Sequence, residues 1–262
     1  MTALLEIAGV SVSFGGLQAL TRVGLSVGAR RLHALVGPNG AGKTSLLNAV
    51  GGLCRLAGGA IRLDGHAIHG LPPHAIAARG VARTFQFLEL FRHLSVVDNV
   101  MLGRHRHMRA GILAGAAYFG RSRREQVRHR ARVEAIVEFL ELERHRKAAV
   151  GDLALGIQKL VAIGRALAME PAILLLDEPS TGMNREEKEN LARFLLRIKH
   201  ELGTTMLWVE HDMELVGDLA DTVTVLDFGQ RIATGPPSAV LRDPRVVEAY
   251  LGRAAVREKG GQ

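Results

Sequence analysis

The chain has 262 residues, 47% hydrophobic and 23% charged, which excludes disorder and a collagen-like fibre and suits one large α/β domain or a domain carrying a subdomain. Its 34 Lys and Arg exceed its 26 Asp and Glu by 8, so an anionic partner is expected: a nucleotide, a nucleic acid or an anionic membrane surface. The longest uncharged stretch, Ile7 to Thr21, is about 15 residues broken by Ser, Gln and Gly, too short and polar for a transmembrane helix, and the lone Cys54 fits a reducing, cytosolic compartment. The opening MTALLEIAGV has neither the basic region nor the cleavage site of a secretory signal.

In chain order, LLEIAGVSVSF, LQALTRVGLSV and GAIRLDGHAI read as strands and hairpins with Gly at the breaks. RLHALVG, a Gly-rich turn and KTSLLNAVGGL read as strand, loop and helix. From Leu71 to Leu155 the pattern becomes helical, entered at Pro72 and Pro73, and Val133, Ile136, Val137 and Leu140 recur at the spacing of one buried helix face. A helix through LVAIGRALAME stops before Pro171, and AILLLDE is a continuous apolar run, as a strand covered on both faces requires. EEKENLARFLLRIKHEL (helix), TTMLWVE (strand), MELVGDLA (helix) and TVTVLDFG (strand) complete the alternation.

The basic excess is local. Arg104 to Lys147 holds 12 Lys or Arg against 5 Asp or Glu, concentrated in RHRHMR and RSRREQVRHRAR. A solvated helix face, contact with anionic headgroups or an acidic protein loop, and contact with nucleic acid all remain open for it.

Two motifs carry chemistry. GPNGAGKT spaces Gly37 and Gly42 around Pro38, Asn39, Gly40 and Ala41, then places Lys43, Thr44 and Ser45 at a helix start. Glycines let backbone amides wrap phosphate oxygens, Lys43 reaches the β- and γ-phosphates, and the Thr44 hydroxyl ligates Mg²⁺. ILLLDE ends a buried strand in Asp177, aimed at the metal through water, and Glu178, free to orient and deprotonate an attacking water.

Together these residues resemble the ATP-binding-cassette ATPases that drive membrane transport, across about Leu4 to Gly252. The resemblance implies a central, mostly parallel sheet with flanking helices, an antiparallel β subdomain and a helical subdomain at about 71–155, with 253–262 a short charged tail. It implies ATP and Mg²⁺ as ligands, and places Gln86 of RTFQ at the metal or the water and His211 of WVEHD at the γ-phosphate. Phe14 stands where the family stacks an aromatic on adenine; a core Phe in a hairpin is the other reading. In this family two cassettes face head to tail, so Leu153, Ala154, Gly156, Ile157 and Gln158 of the signature segment DLALGIQK, with Asn184 of the turn STGMN, complete the partner's ATP site.

The departures are specific. Ala154 stands where the family has Ser, Ile157 where it has Gln, and Asn184 where it has Asp. This chain's own site keeps Lys43, Thr44, Asp177, Glu178 and His211, whereas the site completed by Ala154 loses a hydroxyl. FGGLQAL, LFRHLSVVDNV, LALG, GMN and the ending AYLG resemble the ATPase subunits of branched-chain amino acid importers; related importers of urea, short amides or aromatic acids share the pattern. The resemblance implies a second, different ATPase subunit, two transmembrane permease subunits and an extracytoplasmic solute-binding protein, with this chain on the cytoplasmic face of the membrane. A non-transport cassette acting on nucleic acid or ribosomes is the alternative, but one cassette, one Cys and no heptad run speak against it, so no nucleic acid is expected.

Overall fold

The computed structural model describes residues 3–84, 90–108 and 121–250, and the side chains of all of these except 121–124. Gln86, Arg109, the side chains of Arg121, Arg123 and Arg124, and the tail expected from 253 lie outside the described residues. The chain divides into two compact units, one of Met1–Arg83, Ala172–Thr181 and Leu195–Gln262, the other of Thr84–Pro171 and Gly182–Phe194.

The first unit opens with a long hairpin, β1 (Ala3–Phe14) and β2 (Leu17–Gly28), turned by Gly15 and Gly16, both at the positive φ that a two-residue hairpin turn requires. With β4 (Gly58–Leu63) and β5 (His66–Ala67) it forms an antiparallel sheet in the order β2-β1-β4-β5. A six-stranded sheet contains β3 (Leu32–Val36), β6 (Val81–Thr84), β7 (Ile173–Asp177), β8 (Thr205–Val209), β9 (Thr222–Asp227) and β10 (Gln230–Gly235), in the order β10-β9-β3-β8-β7-β6. β7, β8, β3 and β9 run parallel and β10 antiparallel. β3, β7 and β8 are buried at every residue, as their unbroken apolar sequences anticipate. Helix α1 (Lys43–Val50) sends Leu46, Leu47 and Val50 into a core that also takes Leu5, Ile7 and Ile61 from one sheet and Leu35, Leu175 and Leu207 from the other. The parallel strands β3, β7 and β8 therefore deliver residues 37, 178 and 210 to one edge of the sheet, where ligands of open α/β sheets bind.

Two short helices complete the early part of the chain. α2 (Pro73–Ala78) begins at the proline pair, and α3 (Val96–Leu102) is capped by Ser95, whose Oγ accepts from the Asp98 amide at 3.1 Å. In the second unit α3 packs with α4 (Arg121–Phe139) and α5 (Leu155–Leu167). Gly164 permits the close approach: a Cβ there would stand 3.0 Å from Leu140 Cδ1 and 3.3 Å from Val100 Cγ2. The remaining helices are α6 (Arg185–His200), α7 (Met213–Leu219) and α8 (Pro237–Val240), followed by a helical turn over 244–250.

The structure differs from the sequence pattern in two places. The segment expected to be helical from Leu71 contains β6, an edge strand, and the second unit starts at Thr84, runs to Pro171 and includes 182–194. A four-residue strand is too short to show a period of its own, so the helical spacing around it masks it. The basic run is also not a uniformly solvated face. Arg104 is 5% exposed, with Nη1 donating to the Ala168 carbonyl at 2.9 Å and pairing with Glu170, and Nε donating to His129 Nδ1 at 3.3 Å. Arg104 thus binds the carbonyl of Ala168, the C-cap of α5, while Arg106, Arg128, Arg130 and Arg132 are exposed.

Candidate phosphate-binding and catalytic site

The loop Gly37–Gly42 leaves β3 and enters α1. Gly37, Gly40 and Gly42 all have positive φ. Two of them allow no side chain: a Cβ on Gly37 would meet the Leu226 carbonyl oxygen at 2.1 Å, and one on Gly42 would meet the Ala19 carbonyl oxygen at 2.7 Å. Gly42 is also the N-cap of α1, which has no capping side chain and no acid in its first turn. Its first amides and its positive dipole end are left to an external anion.

Lys43 is 5% exposed and reaches back across the loop, its Nζ donating to the carbonyls of Gly37 at 2.8 Å and Pro38 at 3.0 Å. The loop is thereby closed on its own lysine, which holds the ammonium where phosphate oxygens would arrive. Thr44 follows, exposed, and Ser45 half-buried. Phe14 ends β1 with 48% of its surface exposed, which excludes the core reading and leaves a ring face for stacking.

Asp177 and Glu178 end β7 with different surroundings. Asp177 is buried and accepts from Arg83 Nη2 at 2.8 Å through Oδ2, while Arg83 Nη1 donates to Asn48 Oδ1 at 2.7 Å. Its other oxygen, Oδ1, is buried without a hydrogen bond. An orphaned carboxylate oxygen and the exposed Thr44 hydroxyl are oxygen donors of the kind Mg²⁺ prefers, so these residues fit that ion.

Glu178 sits at φ 47°, a left-handed conformation that costs a non-glycine residue of order 1–3 kcal/mol and recurs at functional sites. Its amide donates to the Val209 carbonyl at 3.0 Å, and Oε1 lies 2.5 Å from His211 Nε2. The two residues expected to act separately are therefore a bonded pair. Glu210, which sequence reasoning missed, holds the next strand end in place. It is 1% exposed and accepts from Ser180 Oγ at 2.7 Å, Trp208 Nε1 at 3.1 Å and the His211 amide at 3.0 Å. The signal was present in the sequence as an acid inside the strand-ending WVEHD, but only pairing with Ser180 and Trp208 shows that it is structural. Arg83 was equally hidden in RTFQ.

The signature segment lies in the second unit. Ala154 is the exposed N-cap of α5 and offers no capping oxygen. The Gly156 amide, expected to face a partner's phosphate, donates to Glu187 Oε1 at 3.2 Å. Glu187 Oε2 accepts from the Asn184 amide at 3.0 Å, and Asn184 Oδ1 accepts from the Glu187 amide at 2.9 Å, a reciprocal capping box that starts α6. Gln158 Nε2 donates to the Leu153 carbonyl at 2.7 Å, and Ile157 is half-buried. The carboxylate of Glu187, also unanticipated, thus occupies the amide that opens the signature helix.

Residues 20–181 match the family model described as ABC transporter, and residues 230–256 match one described as branched-chain amino acid ATP-binding cassette transporter. The chain is 39% identical over 254 residues to the high-affinity branched-chain amino acid transport ATP-binding protein BraF of Pseudomonas aeruginosa, covering 96% of this chain and 98% of that one. It is 36% identical over 251 residues to LivG of Escherichia coli strain K12, a protein of the same description, with 96% and 98% covered. Among solved structures, the ADP conformation of MJ1267, an ATP-binding cassette of an ABC transporter, superposes with a TM-score of 0.84 at 29% identity, covering 96% of this chain and all of that one.

Proposed function

The chain belongs to the ABC transporter family of ATP-binding, ATP-hydrolysing subunits, and we propose that it powers uptake of branched-chain amino acids or a closely related small solute. The observation that carries this reading is a phosphate loop closed on Lys43 in the same compact unit as the Glu178–His211 pair. Its similarity to BraF and LivG over nearly the whole chain supports the solute class.

In this reading ATP stacks its base on Phe14 and lays its phosphates along residues 37–45. Lys43 exchanges the Gly37 and Pro38 carbonyls for phosphate oxygens, and the α1 amides supply the remaining donors. Thr44, Asp177 through water, and Gln86 would hold Mg²⁺, which neutralises charge on the phosphates when bound. Glu178 takes the proton of the attacking water, and His211, whose Nε2 is bonded to Glu178 Oε1 in the free protein, turns that nitrogen to the γ-phosphate when ATP binds and so frees the carboxylate for the water. The positive φ of Glu178 is held by the hydrogen bond that its amide donates to the Val209 carbonyl.

No helix among the described residues is long and apolar enough to cross a membrane. We propose docking on two permease subunits at the cytoplasmic face, a second and different ATPase subunit, and an extracytoplasmic solute-binding protein that delivers the solute. Leu153, Ala154, Gly156, Ile157, Gln158 and Asn184 complete the partner's ATP site; for the Gly156 amide to meet that phosphate, Glu187 must first release it. The test is uptake of labelled leucine by membranes containing the complex, with Glu178→Gln in this chain. Loss of uptake with ATP still bound supports the reading, whereas full uptake would remove it.

A further inference from the structure

One stripe of α4 changes character along the helix. Val133 and Val137 are buried in its C-terminal half, and at the same four-residue spacing the stripe continues back to His129 and Glu125, flanked by Arg128 and Arg132. These side chains and those of Arg104 and Glu170 line a cavity of about 490 Å³, and among the described residues its lining is wholly Arg, His and Glu. Ligand pockets of this size, roughly 300–1,000 Å³, are mostly apolar; one without an apolar wall suits a small charged ligand. Its four arginines outnumber its two glutamates by two. One of those acids is already shared, since Glu170 stands 2.9 Å from Arg104 and 3.9 Å from Arg132. Arg128 makes no hydrogen bond or ion pair among the described residues.

His129 adds a directed donor. It is 3% exposed, and its Nδ1 accepts from Arg104 Nε at 3.3 Å. A ring nitrogen that accepts carries no proton, so the neutral ring holds its proton on Nε2. That nitrogen is buried and has no hydrogen-bond partner. The Glu125 carboxylate stands 3.6 Å from it, beyond hydrogen-bond reach. A buried N–H without an acceptor is destabilising, and a ligand oxygen seated there would satisfy it.

We propose that this cavity binds a small soluble phosphate dianion, inorganic phosphate or a phosphate monoester. One phosphate oxygen displaces Glu125 and takes the His129 Nε2 proton, while the Arg128 and Arg132 guanidiniums pair with the others. The planar guanidinium fork matches phosphate oxygens, and a phosphate monoester carries about −1.5 to −2 charges at pH 7, close to the excess of arginine over glutamate. Depth selects the size of the ligand. Arg104 and His129 lie below the surface, within reach of an ion that enters the cavity and out of reach of a flat membrane. Every lining residue belongs to the second compact unit, whereas the phosphate loop belongs to the first. The inference therefore stands apart from the nucleotide site.

The experiment titrates inorganic phosphate into the full chain by calorimetry, with a non-hydrolysable ATP analogue present in excess to fill the phosphate loop. One equivalent should bind, more weakly as salt is raised. Arg128→Gln combined with Arg132→Gln should weaken binding at least about tenfold, the loss of two charge-assisted pairs. Both arginines are exposed, so this variant should melt as the wild type does without phosphate and keep its affinity for ATP. Glu125→Gln, which removes the competing carboxylate, should tighten phosphate binding about threefold. The proton on His129 Nε2 should shift in the NMR spectrum as phosphate is added. No saturable binding, equal binding by the double variant, or an unmoved His129 signal would overturn the proposal. A parallel arm offers phosphatidylcholine vesicles containing phosphatidic acid; binding to these with no response to free phosphate would give the cavity to a lipid headgroup and overturn the soluble ligand.

Discussion

At the scale of single residues, Lys43 and Glu178 separate binding from chemistry. Lys43 donates to two loop carbonyls in the free protein, so Lys43→Ala removes both the loop's closure and the phosphates' charge partner. ATP affinity should fall by about tenfold or more, as expected for lost charge-assisted bonds, and equilibrium dialysis would reveal it. Glu178→Gln keeps shape and retains an oxygen for His211, but the amide cannot take the water's proton. Turnover should drop at least about 10²-fold while ATP stays bound; turnover within threefold of wild type in a phosphate-release assay would end the general-base role. Glu178→Gln conserves volume, whereas Lys43→Ala empties a buried position at the head of α1, so a thermal melt of the Lys43 variant accompanies the binding measurement and shows that the loss reads on the site rather than on the fold.

At the scale of elements, two devices can be probed by stability alone, without altering Lys43 or Glu178. The capping box at the start of α6 joins Asn184 and Glu187, and Glu187 also accepts from Gly156. Asn184→Ala should cost about 1 kcal/mol, the usual worth of an N-cap, seen as a lower midpoint in a far-UV circular dichroism melt. The second device is His33 in β3, which is 2% exposed and shares a 2.8 Å hydrogen bond with Thr224 Oγ1 of β9. Burial lowers its pKa from 6.5 to about 4. The unfolded chain therefore binds a proton that the folded chain refuses between these values, and stability falls as pH drops from 6.5 towards 4. The full difference is about 3 kcal/mol, at 1.36 kcal/mol per unit. His33→Gln should flatten that part of the pH profile in denaturant titrations, and an unchanged slope would assign the acid lability elsewhere.

At the scale of the whole molecule, the exposed Ala154 at the head of α5 bears on how two cassettes share their sites. A signature without its serine hydroxyl weakens whichever ATP site it completes, so a pair of unlike cassettes confines the loss to one site. In the intact complex Ala154→Ser should bring little gain in turnover, whereas Glu178→Gln in this chain alone should remove most of it. A purified complex holding two copies of this chain and no second cassette would refute the arrangement. The basic segment has a structural part to play here too. Arg104 and His129 are buried in a cluster with Glu170, so these two residues are withdrawn from any surface partner.

The sequence by itself determined the phosphate loop, the acid pair and their order along the chain, because each depends on local chemistry. Close approach of backbone to phosphate demands glycines at set spacing, and a strand buried on both faces demands an unbroken apolar run that ends where acids can meet solvent. It also carried the parallel strands and the amphipathic helices, whose periods are properties of neighbouring residues. Only the tertiary structure decided the pairings between distant positions. Arg83 on Asp177, His211 on Glu178, Glu210 beneath Ser180 and Trp208, and Glu187 on Gly156 each join residues whose types were visible but whose partners were not. β6 was hidden for a related reason, since four residues gain their identity from the sheet edge they complete rather than from any pattern of their own. Hydrogen bonds and burial depend on what the fold brings within a few ångströms, and no local period in a chain records that.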